Sequence, residues 1–270
     1  MIGVFDSGIG GLSVLKALRA AMPHESFIYL ADSAHAPYGE RDEAHVSART
    51  RAAARYLLRE HGVKALVVAC NTATAAAIHE LREAHPALPI VGVEPALKPA
   101  LALSRTGRIA VLATRGTLAS DKFMALHDGL ARQAEFVLTA CDGLAHAIEH
   151  SIAAPAQSEA ELERLCAAYL AASGPFGQLP GQVDTLVLGC THYPFASERL
   201  QRLAGSDVRL IDTGDAVARQ TRRLLEAAGQ LSGPDKAGRV ELLTTGEAVQ
   251  LVAAAHRWLA IQADARSVAV

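Results

Sequence analysis

Residues 63–70 read Val63-Lys64-Ala65-Leu66-Val67-Val68-Ala69-Cys70 and lead into Asn71-Thr72. More than a hundred residues later, Val183-Asp184-Thr185-Leu186-Val187-Leu188-Gly189-Cys190 repeats the design and leads into Thr191-His192. Each is a short apolar run of the kind that forms a parallel strand buried on both faces. Each delivers a thiol to its C-terminal end, the edge at which open α/β sheets bind ligands. Two such thiols, one from each half, suit a substrate approached from opposite sides. Inversion at a carbon centre requires that arrangement.

Outward from these runs, short β-branched segments alternate with longer Ala/Leu/Arg segments of helical period, the βαβ signature. Strands are expected near 2–5, 26–31, 63–69, 89–93, 108–113, 135–140, 183–188, 207–211 and 239–244, with helices between them. The segment 42–61 is a representative helix, closed by Gly62. The strand at 108–113 opens the second half as 2–5 opens the first. The reading is therefore an α/β protein of two pseudo-symmetric domains with mainly parallel sheets and an active site in the cleft between them. One domain takes residues 1–95 plus 212–270 and carries Cys70; the other takes 96–211 and carries Cys190. Glu94-Pro95 is the crossing point, because a residue before proline disfavours helix. Gly174–Gly181 and Gly229–Gly238 read as loops.

With 26 basic and 28 acidic residues the net charge is −2, which gives no electrostatic case for nucleic acid or an anionic membrane. No apolar stretch is long enough to span a bilayer. The start, Ile2-Gly3-Val4-Phe5-Asp6, has no secretory pattern. Cys70, Cys141, Cys166 and Cys190 are too few for a disulfide framework and lack CxxC spacing. The expectation is a cytoplasmic chain with reduced thiols.

Buried cysteine usually packs as a small hydrophobe, and that explanation suffices for Cys141 and Cys166. Cys70 and Cys190 differ, since each stands where a strand opens into a helix, whose N-terminus lowers a nearby thiol pKa. An ordinary thiol, with pKa ~8.5, is mostly protonated at neutral pH, so a modest shift makes one a base while the other stays an acid. Asn71, Thr72 and Thr74 follow Cys70, and Thr191 and His192 follow Cys190. Capping explains some of these, and the same N–H and hydroxyl groups bind carboxylates. His192 is placed to assist proton transfer at Cys190. Asp6-Ser7-Gly8-Ile9-Gly10-Gly11 forms a glycine-rich turn after the first strand but matches neither GxGxxG nor a P-loop. Asp6 offers a carboxylate to an ammonium group. Asp32-Ser33 repeats the theme, and Pro37-Tyr38-Gly39 supplies a rigid loop over the ligand. The histidines show no structural zinc spacing and no HExxH, so no metal is expected.

In order, FDSGIGGLSVL, ADSAHAPYGER, ACNTATA, GVEP and LGCTHYP closely resemble glutamate racemase, of the aspartate/glutamate racemase superfamily. The similarity spans essentially the whole chain, including TTGE and Trp258. The resemblance implies a cofactor-independent enzyme that supplies D-glutamate for peptidoglycan and is commonly a homodimer. It implies that Cys70 handles the α-proton of D-glutamate and Cys190 that of L-glutamate, supported by Asp6 and His192 respectively. It assigns substrate contacts to Asp6, Ser7, Pro37, Tyr38, Gly39, Asn71, Thr72, Thr74, Thr191 and His192. Glu149 occupies the region of a further acidic residue near the site. Two departures stand out: Cys141-Asp142 where many members have Cys-Pro, and Asp32-Ser33 for the common Asp-Thr. Some members need a peptidoglycan-precursor activator, associated with an N-terminal extension; none is expected here. An aspartate racemase is the nearest alternative, followed by a hydantoin-type racemase or an arylmalonate-decarboxylase-like enzyme. Further off is an amino-acid-binding protein, for which paired thiols have no use.

Overall fold

A computed structural model describes residues 1–153 and 155–270. It divides into two compact units, Met1–Val93 with Gly214–Val270, and Glu94–Thr213.

The first unit begins β1 (Ile2–Asp6), α1 (Leu12–Ala21), β2 (Phe27–Ala31), α2 (Glu43–His61), β3 (Ala65–Val68), α3 (Asn71–Ala84) and β4 (Ile90–Gly92). The chain then builds the second unit from α4 (Leu97–Leu103), β5 (Arg108–Ala113), α5 (Arg115–Leu118), α6 (Asp121–Asp128), β6 (Glu135–Ala140), α7 (Leu144–Ala153), α8 (Pro155–Ser173), β7 (Thr185–Leu188), α9 (Ser197–Ala204) and β8 (Arg209–Ile211). It returns to the first through α10 (Gly214–Ala227), β9 (Val240–Thr244), α11 (Ala248–Leu259) and β10 (Ala265–Ser267).

All strand pairs in both sheets are parallel. The first sheet runs β10-β9-β2-β1-β3-β4 and the second β6-β5-β7-β8. Parallel sheets with helical crossovers are covered on both faces, which is why β1, β2, β3 and β7 are buried along their whole length. Phe5, Ile28, Leu30, Leu66, Val68 and Leu243 of the first sheet pack with Leu57 and Ile78 of the helices. In the second unit Ile109, Val111 and Val187 pack with Leu97, Ala100 and Phe123.

Helix α2 shows how local chemistry sets a boundary. The Asp42 side chain accepts from the His45 N–H at 2.7 Å, capping the N-terminus, and Gly62 closes the helix at φ 52°, where a side chain is disfavoured. Among the described residues no helix is long and apolar enough to cross a membrane.

Each sheet has one topological switch point, where consecutive crossovers leave in opposite directions. In the first sheet β1 lies between β2 and β3; in the second β5 lies between β6 and β7. Ligand sites of open α/β sheets form beyond the strand ends at such points. The residues there are Asp6-Ser7 and Cys70-Asn71 in one unit, and Thr114 and Cys190-Thr191 in the other.

Candidate active site

Cys70 caps α3. Its sulfur accepts from the Ala73 N–H at 3.4 Å, and its S–H reaches the Ser7 hydroxyl at 3.8 Å. The thiol therefore sits in the positive field of a fourteen-residue helix. The Ser7 N–H donates to Asp6 Oδ1 at 2.8 Å, and the Gly11 N–H donates to Asp6 Oδ2. Asp6 is fully buried, so these donors hold its carboxylate at the end of β1 and aim Ser7 toward the sulfur. A Cβ at position 11 would lie 2.7 Å from Asp6 Cβ and 3.0 Å from the Tyr29 hydroxyl. Glycine is required there by the close approach, at an ordinary backbone angle.

Asn71, Thr72 and Thr74 occupy the first turn of α3. The Asn71 Oδ1 is buried and has no hydrogen-bond partner. Leaving a buried acceptor unsatisfied costs about 1–3 kcal/mol, which a donor on a ligand would recover. The Thr74 side chain is tied to the backbone of its own unit. Its hydroxyl donates to the Val68 carbonyl at 3.1 Å and accepts from the Val93 N–H at 3.0 Å, tying α3 to the ends of β3 and β4. That geometry gives it a structural task.

The loop after β2 is held from below by Asp32. This carboxylate, 1% exposed in its side chain, takes two bonds from Arg49 at 2.9 Å and one from the Tyr38 hydroxyl at 2.6 Å. Thr245 at 2.9 Å and His35 at 3.0 Å add to these. Burial favours the neutral acid, but the Arg49, Tyr38 and Thr245 donors outweigh it and hold Asp32 below the ordinary carboxylate range. Burial and the Asp32 charge push the Tyr38 phenol upward, so it stays a donor. Its ring packs at 6.2 Å from Phe5. Pro37 and Gly39 flank a Tyr38 that is pinned at both its ring and its hydroxyl.

The second unit supports its thiol differently. Cys190 does not open into an α-helix, as the sequence pattern suggested; a turn follows, then a 3-10 segment Tyr193–Ala196 and only then α9. Pro194 starts the tighter 3-10 turn, and Phe195 N–H closes it onto the His192 carbonyl at 3.0 Å. In place of a helix end, Cys190 has His192, whose Nδ1 lies 3.7 Å from the sulfur. The His192 Nε2 lies 3.0 Å from Glu149 Oε2 on α7. Burial opposes a charge on this imidazole, but the Cys190 sulfur and the Glu149 carboxylate prevail and hold His192 well above its usual range. Thr191 is buried beside them. Gly189 passes within reach of β5, where an added Cβ would meet the Leu112 carbonyl at 2.8 Å.

The other two cysteines are locked as thiols. Burial and the nearby Cys190 sulfur push Cys141 up, and it donates to the Thr139 carbonyl at 3.4 Å. Burial pushes Cys166 up to about 11.

Sequence reasoning missed Arg49 and Thr245, which act through Asp32, and the N-cap of α5, where the Thr114 side chain accepts from the Thr117 N–H at 3.3 Å. Thr114 and Thr117 carry a hydroxyl pair 2.9 Å apart at the second switch point. The signal was present in Ala113-Thr114-Arg115-Gly116-Thr117 immediately after a strand.

Each unit thus ends a parallel strand at its own switch point in a buried thiol, one beside a helix N-terminus and one beside a His–carboxylate pair. The model of Asp/Glu/hydantoin racemase matches residues 12–221, and the chain belongs to that family. A glutamate racemase of Stutzerimonas stutzeri is 49% identical over 88% of this chain and 86% of its own. Among solved structures, a glutamate racemase isoform of Bacillus anthracis aligns with a TM-score of 0.86 and 32% identity, covering 100% of this chain and 97% of that one. The Escherichia coli glutamate racemase, solved with L-glutamate and the activator UDP-MurNAc-Ala, aligns at 0.82 and 31%, covering 100% and 98%.

Proposed function

We propose that this amino-acid racemase interconverts L- and D-glutamate by a two-base 1,1-proton transfer, supplying D-glutamate for peptidoglycan synthesis. The observation that carries the mechanism is the pair Cys70 and Cys190, each at the switch point of its own parallel sheet. One thiolate removes the α-proton of glutamate; the opposite thiol gives its proton to the other face. The C–H bond breaks to form S–H on one side, and S–H breaks to form C–H on the other, so each turnover exchanges the two protonation states.

The hard step is the carbanion, since no imine or metal enters the proposal. Its charge is met by preorganised donors aimed at the carboxylates: Ser7, Asn71, Thr72 and Thr191 hydroxyls and amides, at the positive end of α3. Asp6 keeps the substrate ammonium positive, and the orphan Asn71 oxygen accepts from it. Pro37, Tyr38 and Gly39 close over the substrate, held by Asp32. His192, kept cationic by Glu149, stabilises the Cys190 thiolate. We assign Cys70 to the D-isomer and Cys190 to the L-isomer, in a cytoplasmic homodimer that uses no cofactor.

The test is circular dichroism of L-glutamate with purified protein and no addition. Decay of the signal to zero is expected. A flat trace from folded, reduced protein, with L-aspartate inverted instead, would replace the substrate assignment.

A further inference from the structure

The histidines look scattered in the sequence, yet two of them meet on α7. His146 and His150 are four residues apart, both are exposed, and their ring centroids lie 4.0 Å apart. Residues i and i+4 share one helix face, so ordinary helix geometry builds the pair. The two rings line a groove of about 650 Å³ between α7 and α8, together with Asp142, Glu161, Gln157 and Ser158. Both carboxylates are ion-paired, Asp142 with Arg115 and Glu161 with Arg164.

We propose that His146 and His150 chelate one divalent transition cation of the imidazole-preferring kind (Ni²⁺, Cu²⁺ or Zn²⁺), with water completing its coordination. Metal–nitrogen bonds of about 2.0–2.1 Å place two such nitrogens about 3 Å apart, a separation that two rings on adjacent turns can meet. Mg²⁺ and Ca²⁺ take oxygen ligands and do not suit the pair. Among the described residues no group of three or more ligating side chains is arranged to hold an ion, so this is a two-donor chelate. The groove leaves the remaining positions open to exchangeable ligands. The ion spans one turn of the helix that also presents Glu149 to His192, and so it staples that turn. The site does not depend on the racemase assignment.

The experiment titrates the full chain with Ni²⁺ by calorimetry and follows the thermal midpoint, for the native protein, His146→Gln, His150→Gln and the double variant. Both positions are exposed, and glutamine is a good helix former, so the variants should fold, which circular dichroism checks. One ion per chain is expected, at least ten-fold weaker binding in each single variant, and loss of the site in the double. The ion should raise the native midpoint and leave that of the double variant unchanged. No saturable binding by the native chain, or equal binding by the double variant, would overturn the proposal; the second result would move the ion to other histidines or to the thiols.

Discussion

Replacing Arg49 with methionine keeps the bulk of the side-chain stem and removes the guanidinium that makes two bonds to Asp32. Asp32 then has two ways to respond. It can remain ionised in a fully buried position with only Tyr38, Thr245 and His35 as neighbours; breaking a buried pair from one side typically costs about 3–5 kcal/mol. Alternatively it can take up a proton, which for a carboxyl of ordinary pKa ~3.9 costs about 4 kcal/mol at pH 7 and about 1.5 kcal/mol at pH 5. The three surviving donors soften both routes, so a loss of about 3 kcal/mol at pH 7 is expected. It should shrink to about half that at pH 5, where protonation becomes the cheaper escape. The sign follows from the depressed native value: the Asp32 network stabilises the fold above the unfolded carboxyl pKa, and that stability is lost as pH falls through the lower folded value. Urea unfolding of both proteins across this pH range is the assay, followed by KM for glutamate, which should rise because Tyr38 and its loop lose their anchor. A deficit that does not change between pH 7 and 5 would mean lost packing and not a stranded charge. An unchanged KM would separate Asp32 from the loop.

Cys70→Ser and Cys190→Ser should each abolish racemisation, read as loss of the circular dichroism decay; full activity in either variant refutes the two-base mechanism. Glu149→Gln removes the carboxylate that holds His192 protonated, and kcat should fall about 10²-fold, the lower range for a proton-transfer group. Because His192 is raised in the folded state, it contributes stability that is fully present below the unfolded pKa of ~6.5 and is lost as pH rises through the folded value. In Glu149→Gln that contribution should be smaller and its alkaline loss complete at lower pH, which denaturant midpoints against pH will register. Gly189→Ala drives a Cβ to 2.8 Å from the Leu112 carbonyl, so a loss of about 1–3 kcal/mol in thermal unfolding is expected together with reduced activity at the adjoining Cys190.

The strands were legible because buried parallel strands are nearly continuous apolar runs, and nine of them lie where periodicity placed them, within two residues at either end. The tenth, Ala265–Ser267, escaped: it is a three-residue edge strand without a β-branched residue, held by backbone pairing to β9. The helix expected directly after Cys190 was a misreading of Thr191-His192-Tyr193-Pro194, whose proline suits the first turn of a 3-10 segment as well as that of an α-helix. Both thiols were legible as strand-end residues because they close their runs. The anchors were not. Asp32 and Arg49 are seventeen residues apart, and Thr245 reaches Asp32 from just beyond the end of β9, more than two hundred residues away. Such pairings exist only once the sheet sets β9 beside β2. The backbone bonds of Thr74 were hidden in the same way, since Val93 comes beside its hydroxyl only once β4 lies next to β3.

The unlike supports of the two thiols have a thermodynamic consequence. A helix end is a fixed dipole that does not titrate, whereas a His–carboxylate pair does. Mirror-image substrates have identical free energies in solution, so the equilibrium constant is one, and kcat/KM must be the same in both directions at every pH. The inequality between the two sides therefore cannot appear in that ratio. It must be absorbed by compensating changes in kcat and KM taken separately, so that at alkaline pH the enzyme saturates differently with the two isomers while favouring neither.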